Sequence, residues 1–374
     1  MIFGLGKTKR AVGIGLDGFP FSLAQELMDM GIMPNLRRLA QRGEMKRIRS
    51  VFPTVSGVAW SSFQTGRNPA QFGVFGFVEL TPDMELAIPN GENLKCETMW
   101  HRFSDGGKEF AALGVPMTYP ADRLDGFVAS GFLAPSLNER AVSSPDVLKF
   151  LKEKDYEIDI DPAVAIRDIE QFKQDLMRVS KARWNTALSL LKDEERDWDM
   201  FFLHVMDTDR INHFLWKGRR ADSDVEDDFF WNFYGWLDEQ LGRLMGVLEN
   251  DAELFICSDH GFCELKWEVQ LNRWLKHQGY LKYDNDPKKG YKAVKPGSRA
   301  LSLVPGRIHI LHESRWDIGE VTDKEYEPLR KELMDKLRAI RHPDSDEVIC
   351  KQVMKKEEVF EGPYLDRAPD IIID

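Results

Sequence analysis

Three apolar runs of this chain end in aspartates, and they constrain its fold more than any other feature. They are AVGIGLDGF at 11–19, WDMFFLHVMD at 198–207 and AELFICSDHGF at 252–262. None alternates between apolar and polar residues, as a half-exposed strand would. A continuous apolar run is typical of a strand that is covered on both faces of a parallel sheet.

Segments with helical spacing lie between these runs. PNLRRLAQRG (34–43) has a proline near its start and Gly43 at its end, which is the usual order of helix start and stop signals. Residues 210–216 and 229–250 also have helical patterns, and the second of these is long and amphipathic. We therefore predict an α/β fold, with a mostly parallel sheet flanked by helices on both faces.

The acidic residues at the run ends indicate a site. Asp17, Asp209 and Asp259 each lie within three residues of the end of a run, where functional groups gather in parallel sheets. His260 follows Asp259 directly, and His213 lies four residues after Asp209, so a helix would let that pair face one ion. Taken alone, the pair is more typical of a polar first helical turn than of a metal site. Together, the carboxylates and imidazoles match the donors that zinc prefers.

A metal pair about 4 Å apart can clamp both the attacking and the leaving oxygen of a phosphoryl transfer. Such a site also needs a nucleophile. The stretch FPTVSGVAWSSFQTGRNP (52–69) offers five hydroxyl residues, namely Thr54, Ser56, Ser61, Ser62 and Thr65. Each of them is also a common cap or turn residue, so chemistry alone does not choose among them.

Composition narrows the class of protein. The chain has 374 residues, 43% of them hydrophobic, which is enough for a sizeable core. A net charge of −11 argues against binding to nucleic acid or to an anionic membrane. The four cysteines form no CxxC pair, and the N-terminus is too short and polar for a signal peptide. With no run long enough to span a membrane, we predict a cytoplasmic protein.

For domain organisation, we predict a single α/β domain over residues 1–374. Residues 264–306 differ from their surroundings, since they include NDPKKGYKAVKPGSR (285–299), which is rich in lysine, glycine and proline. We interpret 264–306 as an irregular excursion from the sheet. It is either a solvated loop or a lid that shapes substrate access.

Five motifs in order carry a family resemblance. They are GLDGF at 15–19, FPTVSGVAWSSFQTGRNPAQFGVFGF at 52–77, GVPMTYPADRLDGFVASGF at 114–132, DTDRINHFLW at 207–216 and CSDHGF at 257–262. The chain resembles the alkaline phosphatase superfamily, most closely its type I phosphodiesterase/nucleotide pyrophosphatase branch. The resemblance implies an alkaline phosphatase-like fold and a phosphoric ester hydrolase with two divalent metal ions. Zn²⁺ is the expected ion and Mn²⁺ the runner-up.

The resemblance also implies roles for particular residues. The ligands of the first ion would be Asp17, Ser56, Asp259 and His260. The second ion would be held by Asp209, His213 and one more histidine nearer the C-terminus. Ser56 would attack phosphorus in a small phosphate ester or nucleotide-like substrate and form a phosphoseryl intermediate.

Ser56 matches the nucleophile position because it stands four residues before Trp60. Many relatives have threonine there, and Thr54 is the alternative nucleophile. The sulfatase branch is disfavoured, since its modifiable residue is followed by proline and arginine, which SGVAW lacks.

The sequence departs from the family pattern at its end. Relatives place the last histidine ligand after an APD motif and a strand, whereas this sequence ends with APDIIID at residue 374. The histidines outside the family's ligand motifs are His101, His204, His277, His309, His312 and His342. We expect either that the C-terminal part of the domain is missing or that the second ion has two protein ligands plus water or substrate. The alternative function is an impaired or inactive family member that binds phosphorylated partners.

Overall fold

The computed structural model describes residues 10–193, 198–219, 228–248, 252–284 and 287–374. The strands in these ranges are β1 (Arg10–Leu16), β2 (Glu79–Leu80), β3 (Leu86–Ala87), β4 (Phe110–Val115), β5 (Gly126–Ser130), β6 (Met200–Val205), β7 (Ala252–Cys257), β8 (Ala300–Leu303), β9 (Arg307–Ile310), β10 (Val353–Lys355) and β11 (Ile371–Ile373).

The α-helices in the same ranges are α1 (Phe21–Asp29), α2 (Pro34–Arg42), α3 (Ser56–Thr65), α4 (Pro69–Phe72), α5 (Met99–Asp105), α6 (Pro145–Glu153), α7 (Val164–Arg167), α8 (Ile169–Leu191), α9 (Asp207–Leu215), α10 (Phe229–Leu248), α11 (Leu271–His277), α12 (Asp323–Arg338) and α13 (Lys356–Val359). Short 3₁₀ turns occur at Gly91–Asn93, Trp216–Arg219, Pro287–Ala293 and Leu365–Arg367.

Five strands form one parallel sheet in the order β5-β4-β6-β1-β7. The three apolar runs of the sequence are its neighbouring strands β6, β1 and β7. Their carboxyl ends therefore lie at one edge of the sheet, which brings the residues that follow them together. The predicted α/β class with a mostly parallel sheet is confirmed.

Helices cover both faces of this sheet. In β6, Phe201 and Leu203 belong to a core that includes residues of α1, α2, α8 and α10. Phe202 points to the other face, where its ring lies 6.3 Å from that of Trp100 in α5. Burial on both faces explains why β6 and β1 have no polar alternation, whereas β7, at the end of the strand order, is only partly buried and departs from the expectation of burial on both faces.

The predicted helices agree with the structure apart from their ends. Helix α2 covers Pro34–Arg42, and Gly43 follows it as expected. Helix α9 begins at Asp207, three residues before the predicted start, so Asp209 lies in its first turn. Helix α10 covers Phe229–Leu248, while residues 249–250 of the predicted helix lie outside the described residues.

The chain divides into two compact units. The first consists of Met1–Ser50, Asn90–Glu92 and Glu97–Glu264, and it contains the parallel sheet. The second consists of Val51–Pro89, Asn93–Cys96 and Leu265–Asp374. Its antiparallel sheet has the order β10-β11-β9-β8 and packs on α11 and α12 through an apolar core. The organisation of 1–374 as one domain stays a prediction.

The segment 264–306 contains regular structure within the described residues. Helix α11 and strand β8 both fall inside it, and residues 285–286 lie outside the described part. A role as a lid stays a prediction. Over the residues that the structure describes, none of the helices combines the length and the hydropathy needed to cross a membrane.

Candidate metal centre and nucleophile helix

The first acidic residue of the site leaves β1 directly. Asp17 follows Leu16 and is fully buried. Gly18 then turns the chain with a φ of +59°, a conformation that favours glycine. A Cβ atom on Gly18 would lie 3.1 Å from Asp209 Oδ1 and 3.1 Å from His260 Cε1. The absence of a side chain at Gly18 lets these two groups approach Asp17.

The turn after β7 is fixed to the turn after β1 by two hydrogen bonds. The amide of Gly18 donates to Asp259 Oδ1 at 3.1 Å, and the amide of Phe19 donates to Ser258 Oγ at 2.9 Å. Ser258 Oγ in turn donates to the carbonyl of His260 at 2.9 Å. These contacts set the positions of Asp259 and His260 relative to Asp17.

Helix α9, which follows β6, is hydrogen-bonded to the turn after β1. Asn212 donates to the carbonyl of Gly18 at 2.8 Å, and Thr208 donates to the carbonyl of Asp17 at 2.6 Å. Asp209 is buried, whereas the side chain of His213 is 54% exposed. The ring of Phe262 packs edge-on against His213, with 4.8 Å between the centroids.

Asp17, Asp209 and His260 form a cluster whose potential ligand atoms all lie within 4.8 Å of one another. His260 Nε2 is 3.4 Å from Asp17 Oδ1, 3.6 Å from Asp259 Oδ2 and 3.9 Å from Asp209 Oδ1. His213 Nε2 lies 3.4 Å from Asp209 Oδ1. The structure therefore brings together all five candidate ligands of the first unit.

The cluster concentrates negative charge in a buried place. Burial and the nearby charge of Asp17 raise the pKa of Asp259 to about 8. Burial would lower the pKa of His260, but its hydrogen bond with Asp17 and the charges of Asp259 and Asp17 raise it to about 10. Burial opposes ionisation of Asp17 too, yet hydrogen bonds and charge from His204 and His260 lower its pKa.

The residues of the cluster fit a divalent cation. The carboxylate of Asp259 is 1% exposed, and among the described residues its Oδ2 has no hydrogen-bond partner. A buried oxygen without a donor is costly unless a cation completes its surroundings. The carboxylate and imidazole donors suit Zn²⁺ or Mn²⁺. The assignment of individual ligands to two ions stays a prediction.

His204 is the contact that sequence reasoning missed. It lies in β6, is buried, and its Nε2 stands 2.9 Å from Asp17 Oδ2. The sequence places it outside the ligand motifs, since no spacing rule connects it with residue 17. One signal was available, because His204 is the only polar residue of the strand MFFLHV.

Ser56 belongs to the second unit. It is the first residue of helix α3, after the extended residue Val55, and it is buried. The first turn of a helix offers backbone amides that favour a phosphate group. The roles of Ser56 as nucleophile and metal ligand stay predictions.

The second unit also contains a buried histidine, and its ring contacts an arginine and a tryptophan of the same unit. His309 lies in β9, where its Nδ1 is 3.3 Å from an Arg315 amino group and its ring is 5.6 Å from that of Trp316. Burial and the charge of Arg315 lower the pKa of His309 well below its usual value. These contacts are typical of a histidine with a structural role.

Comparison with known proteins identifies a family for this chain. The sequence matches the family described as type I phosphodiesterase / nucleotide pyrophosphatase over residues 11–374. The comparison with curated proteins found no significant match.

Solved structures show the same fold at low sequence identity. Phosphonoacetate hydrolase from Sinorhizobium meliloti 1021 in complex with phosphonoacetate has a TM-score of 0.64 and 19% identity, over 98% of this chain and 80% of its own. Murine ectonucleotide pyrophosphatase / phosphodiesterase 5 has a TM-score of 0.54 and 14% identity, over 98% and 78%. Wild-type alkaline phosphatase PafA has a TM-score of 0.59 and 12% identity, over 97% and 84%.

The fold is thus that of the alkaline phosphatase-like hydrolases, as predicted. The chain belongs to the type I phosphodiesterase / nucleotide pyrophosphatase family and is a phosphoric ester hydrolase. The alternative of an inactive protein that binds phosphorylated partners receives no support from these comparisons.

Proposed function

We propose that this protein is a metal-dependent hydrolase of phosphodiester or pyrophosphate bonds that acts through a phosphoseryl intermediate. The observation that carries the proposal is the buried cluster of Asp17, Asp209 and His260 at the carboxyl ends of three adjacent strands. Family membership over residues 11–374 supports the reaction class.

The proposed cofactor is a pair of divalent ions, with Zn²⁺ preferred to Mn²⁺. Asp17, Asp259 and His260 would hold one ion, and Asp209 and His213 would hold the other. Bound metal supplies positive charge that stabilises the oxygens of the transferring phosphoryl group. The orphaned Oδ2 of Asp259 supports the presence of a cation.

Ser56 is the proposed nucleophile. Its Oγ gives its proton to solvent and bonds to phosphorus while the bond from phosphorus to the leaving oxygen breaks, and the leaving oxygen takes up a proton from solvent. Water then cleaves the phosphoseryl ester and regenerates the Ser56 hydroxyl. The start of helix α3 favours this role, since the helix dipole and the amides of its first turn stabilise negative charge there.

The proposed substrate is a small phosphate ester or a nucleotide-like molecule. The first unit contains a cavity of about 990 Å³, which is large enough for a nucleotide. Its lining includes Asp259 and His260 together with the basic residues Arg42, Lys46 and Arg47, which suit an anionic ligand. A relative was solved with phosphonoacetate and another with AMP.

We also propose a cytoplasmic location. Cys257, Cys263 and Cys350 are not in disulfide bonds, and Cys350 is buried. This pattern supports a reducing compartment.

A substrate panel with matched variants tests the proposal. Wild-type protein loaded with Zn²⁺ or Mn²⁺ is assayed on chromogenic phosphate mono- and diesters and on dinucleotides. Ser56→Ala is expected to lower kcat by on the order of 10³-fold or more. Its metal content should remain close to that of the wild type.

Ser61→Ala is the matched control. Ser61 lies on the same helix, and its hydroxyl already donates to the carbonyl of Gly57 at 2.6 Å. Near-normal activity is expected there. Full activity in Ser56→Ala, combined with a loss in Thr54→Ala, would transfer the nucleophile role to Thr54. Inactivity of the wild type on every ester would contradict the proposal itself.

A further inference from the structure

Two of the three buried candidate ligand aspartates, Asp17 and Asp209, each present one oxygen to the cluster and the other to a fixed side chain. Asp17 Oδ1 faces His260 Nε2 at 3.4 Å, whereas its Oδ2 meets His204 Nε2 at 2.9 Å. Asp209 Oδ1 faces His213 and His260, whereas its Oδ2 lies 3.5 Å from an amino group of Arg210. In both cases Oδ1 is the inward atom and Oδ2 is the outward atom.

The outward contact of Asp17 is the better defined of the two. His204 and Asp17 are 1% and 0% exposed, so no solvent competes for this hydrogen bond. His204 lies in β6, the middle strand of the parallel sheet, where it is in register with Gly15 of β1. Two hydrogen-bonded strands thus set the distance from the imidazole to the carboxylate. Arg210 is less specific, because its guanidinium also pairs with Asp159.

We propose that His204 is a positioning residue for metal binding. Its Nε2–H occupies Asp17 Oδ2 and thereby turns Oδ1 toward the ion. Imidazole–carboxylate contacts behind a metal ligand fix the orientation of the ligand, and their loss typically weakens metal affinity about 10–100-fold. The proposal rests on the metal site proposed above.

A purely structural role would have a different consequence. If His204 only satisfied a buried carboxylate, its removal would lower the stability of the fold and leave the affinity of the folded protein for metal unchanged. Metal affinity therefore separates the two roles, independently of enzyme activity.

The test compares His204→Gln with His204→Met. Glutamine can place an amide donor near the position of Nε2, whereas methionine has a similar size and no donor. The dissociation constants for Zn²⁺ and Mn²⁺ are measured on chelator-treated protein by competition with a chromophoric chelator. We expect an affinity about 10–100-fold weaker for His204→Met. For His204→Gln we expect an affinity within about threefold of the wild type, because the donor is retained.

His309→Met is the matched control, since His309 is also a buried strand histidine but contacts Arg315 and Trp316 in the second unit. It should leave metal affinity unchanged. Wild-type affinity in folded His204→Met would overturn the proposal, and so would equal losses in the glutamine and methionine variants. Failure of the wild type to bind metal would instead contradict the proposed function.

A measurement on the wild type decides the matter if His204→Met does not fold. Long-range ¹H–¹⁵N spectra of the histidine rings report which nitrogen of His204 carries hydrogen. We expect a protonated Nε2 whose signal shifts when metal is added. An Nε2 without hydrogen, or a signal that metal does not move, would overturn the proposal.

Discussion

Two aspartates with buried side chains, Asp259 after β7 in the first unit and Asp370 before β11 in the second, have opposite surroundings. Asp370 accepts hydrogen bonds from the amide of Ile310 at 2.7 Å, from Tyr326 Oη at 2.6 Å and from Lys356 Nζ at 2.9 Å. Asp259 accepts one from the amide of Gly18, and within the described residues its Oδ2 has none. Both oxygens of Asp370 thus have hydrogen-bond donors, whereas among the described residues only one oxygen of Asp259 has a donor.

The pKa values follow this difference. Burial would raise the pKa of Asp370, but the charges of Lys356 and Arg315 and the hydrogen bond from Tyr326 lower it. Burial and the charge of Asp17 raise the pKa of Asp259 to about 8. A buried carboxylate whose oxygens both have hydrogen-bond donors stabilises its fold. A buried carboxylate that lacks a donor and lies beside a second carboxylate is the environment that a cation completes.

The largest effect on stability is expected from Asp370→Asn. The substitution leaves Lys356 without its buried counter-charge and replaces one acceptor oxygen by a donor. We expect a loss of about 2–4 kcal/mol in the free energy of unfolding. Urea denaturation followed by circular dichroism measures it, with Asp344→Asn at an exposed position as the control. Equal stability in both variants would show that the network around Asp370 contributes nothing.

A smaller effect is expected from the histidine next to this network. His309 has a lowered pKa in the folded protein, so the unfolded chain binds a proton below about pH 6.5 that the folded chain does not. The stability that the neutral ring contributes is present above pH 6.5 and is lost as pH falls.

The difference between wild type and His309→Leu isolates this contribution. We expect the wild type to lose up to about 1.4 kcal/mol per pH unit relative to the variant between pH 6.5 and 5. The charged groups that face the ring are Arg315, Arg307, Lys356 and Asp370. Burial lowers the pKa of Arg307 to about 10 and the pKa of Asp370 is lowered, so neither group changes its charge in that window. Parallel stability curves for the two proteins would contradict a neutral His309.

Sequence reasoning predicted the parallel sheet, and it could place several candidate site residues close together, because both depend on strand ends. Asp17 follows β1 directly and Asp259 lies two residues after β7, and parallel pairing alone brings such positions together. Asp209 and His213 could be recognised because one helical turn separates them.

Other features depend on contacts between distant parts of the chain, which no spacing reveals. Asp207 and Asp209 are both buried in the first turn of α9, but Asp207 forms an ion pair with Arg183 while Asp209 faces the cluster. The sequence does not distinguish these two roles. The contact of His204 with Asp17 depends on the register of β6 against β1, and this too required the structure.

Metal binding at equilibrium tests the central claim most directly. Chelator-treated wild type, Asp259→Asn and Asp370→Asn are titrated with Zn²⁺ and Mn²⁺, and bound metal is counted by mass spectrometry after dialysis. We expect about two ions for the wild type and for Asp370→Asn, and at least about tenfold weaker binding for Asp259→Asn. A wild type that binds no divalent ion, or an Asp259→Asn variant that binds as the wild type does, would contradict the account.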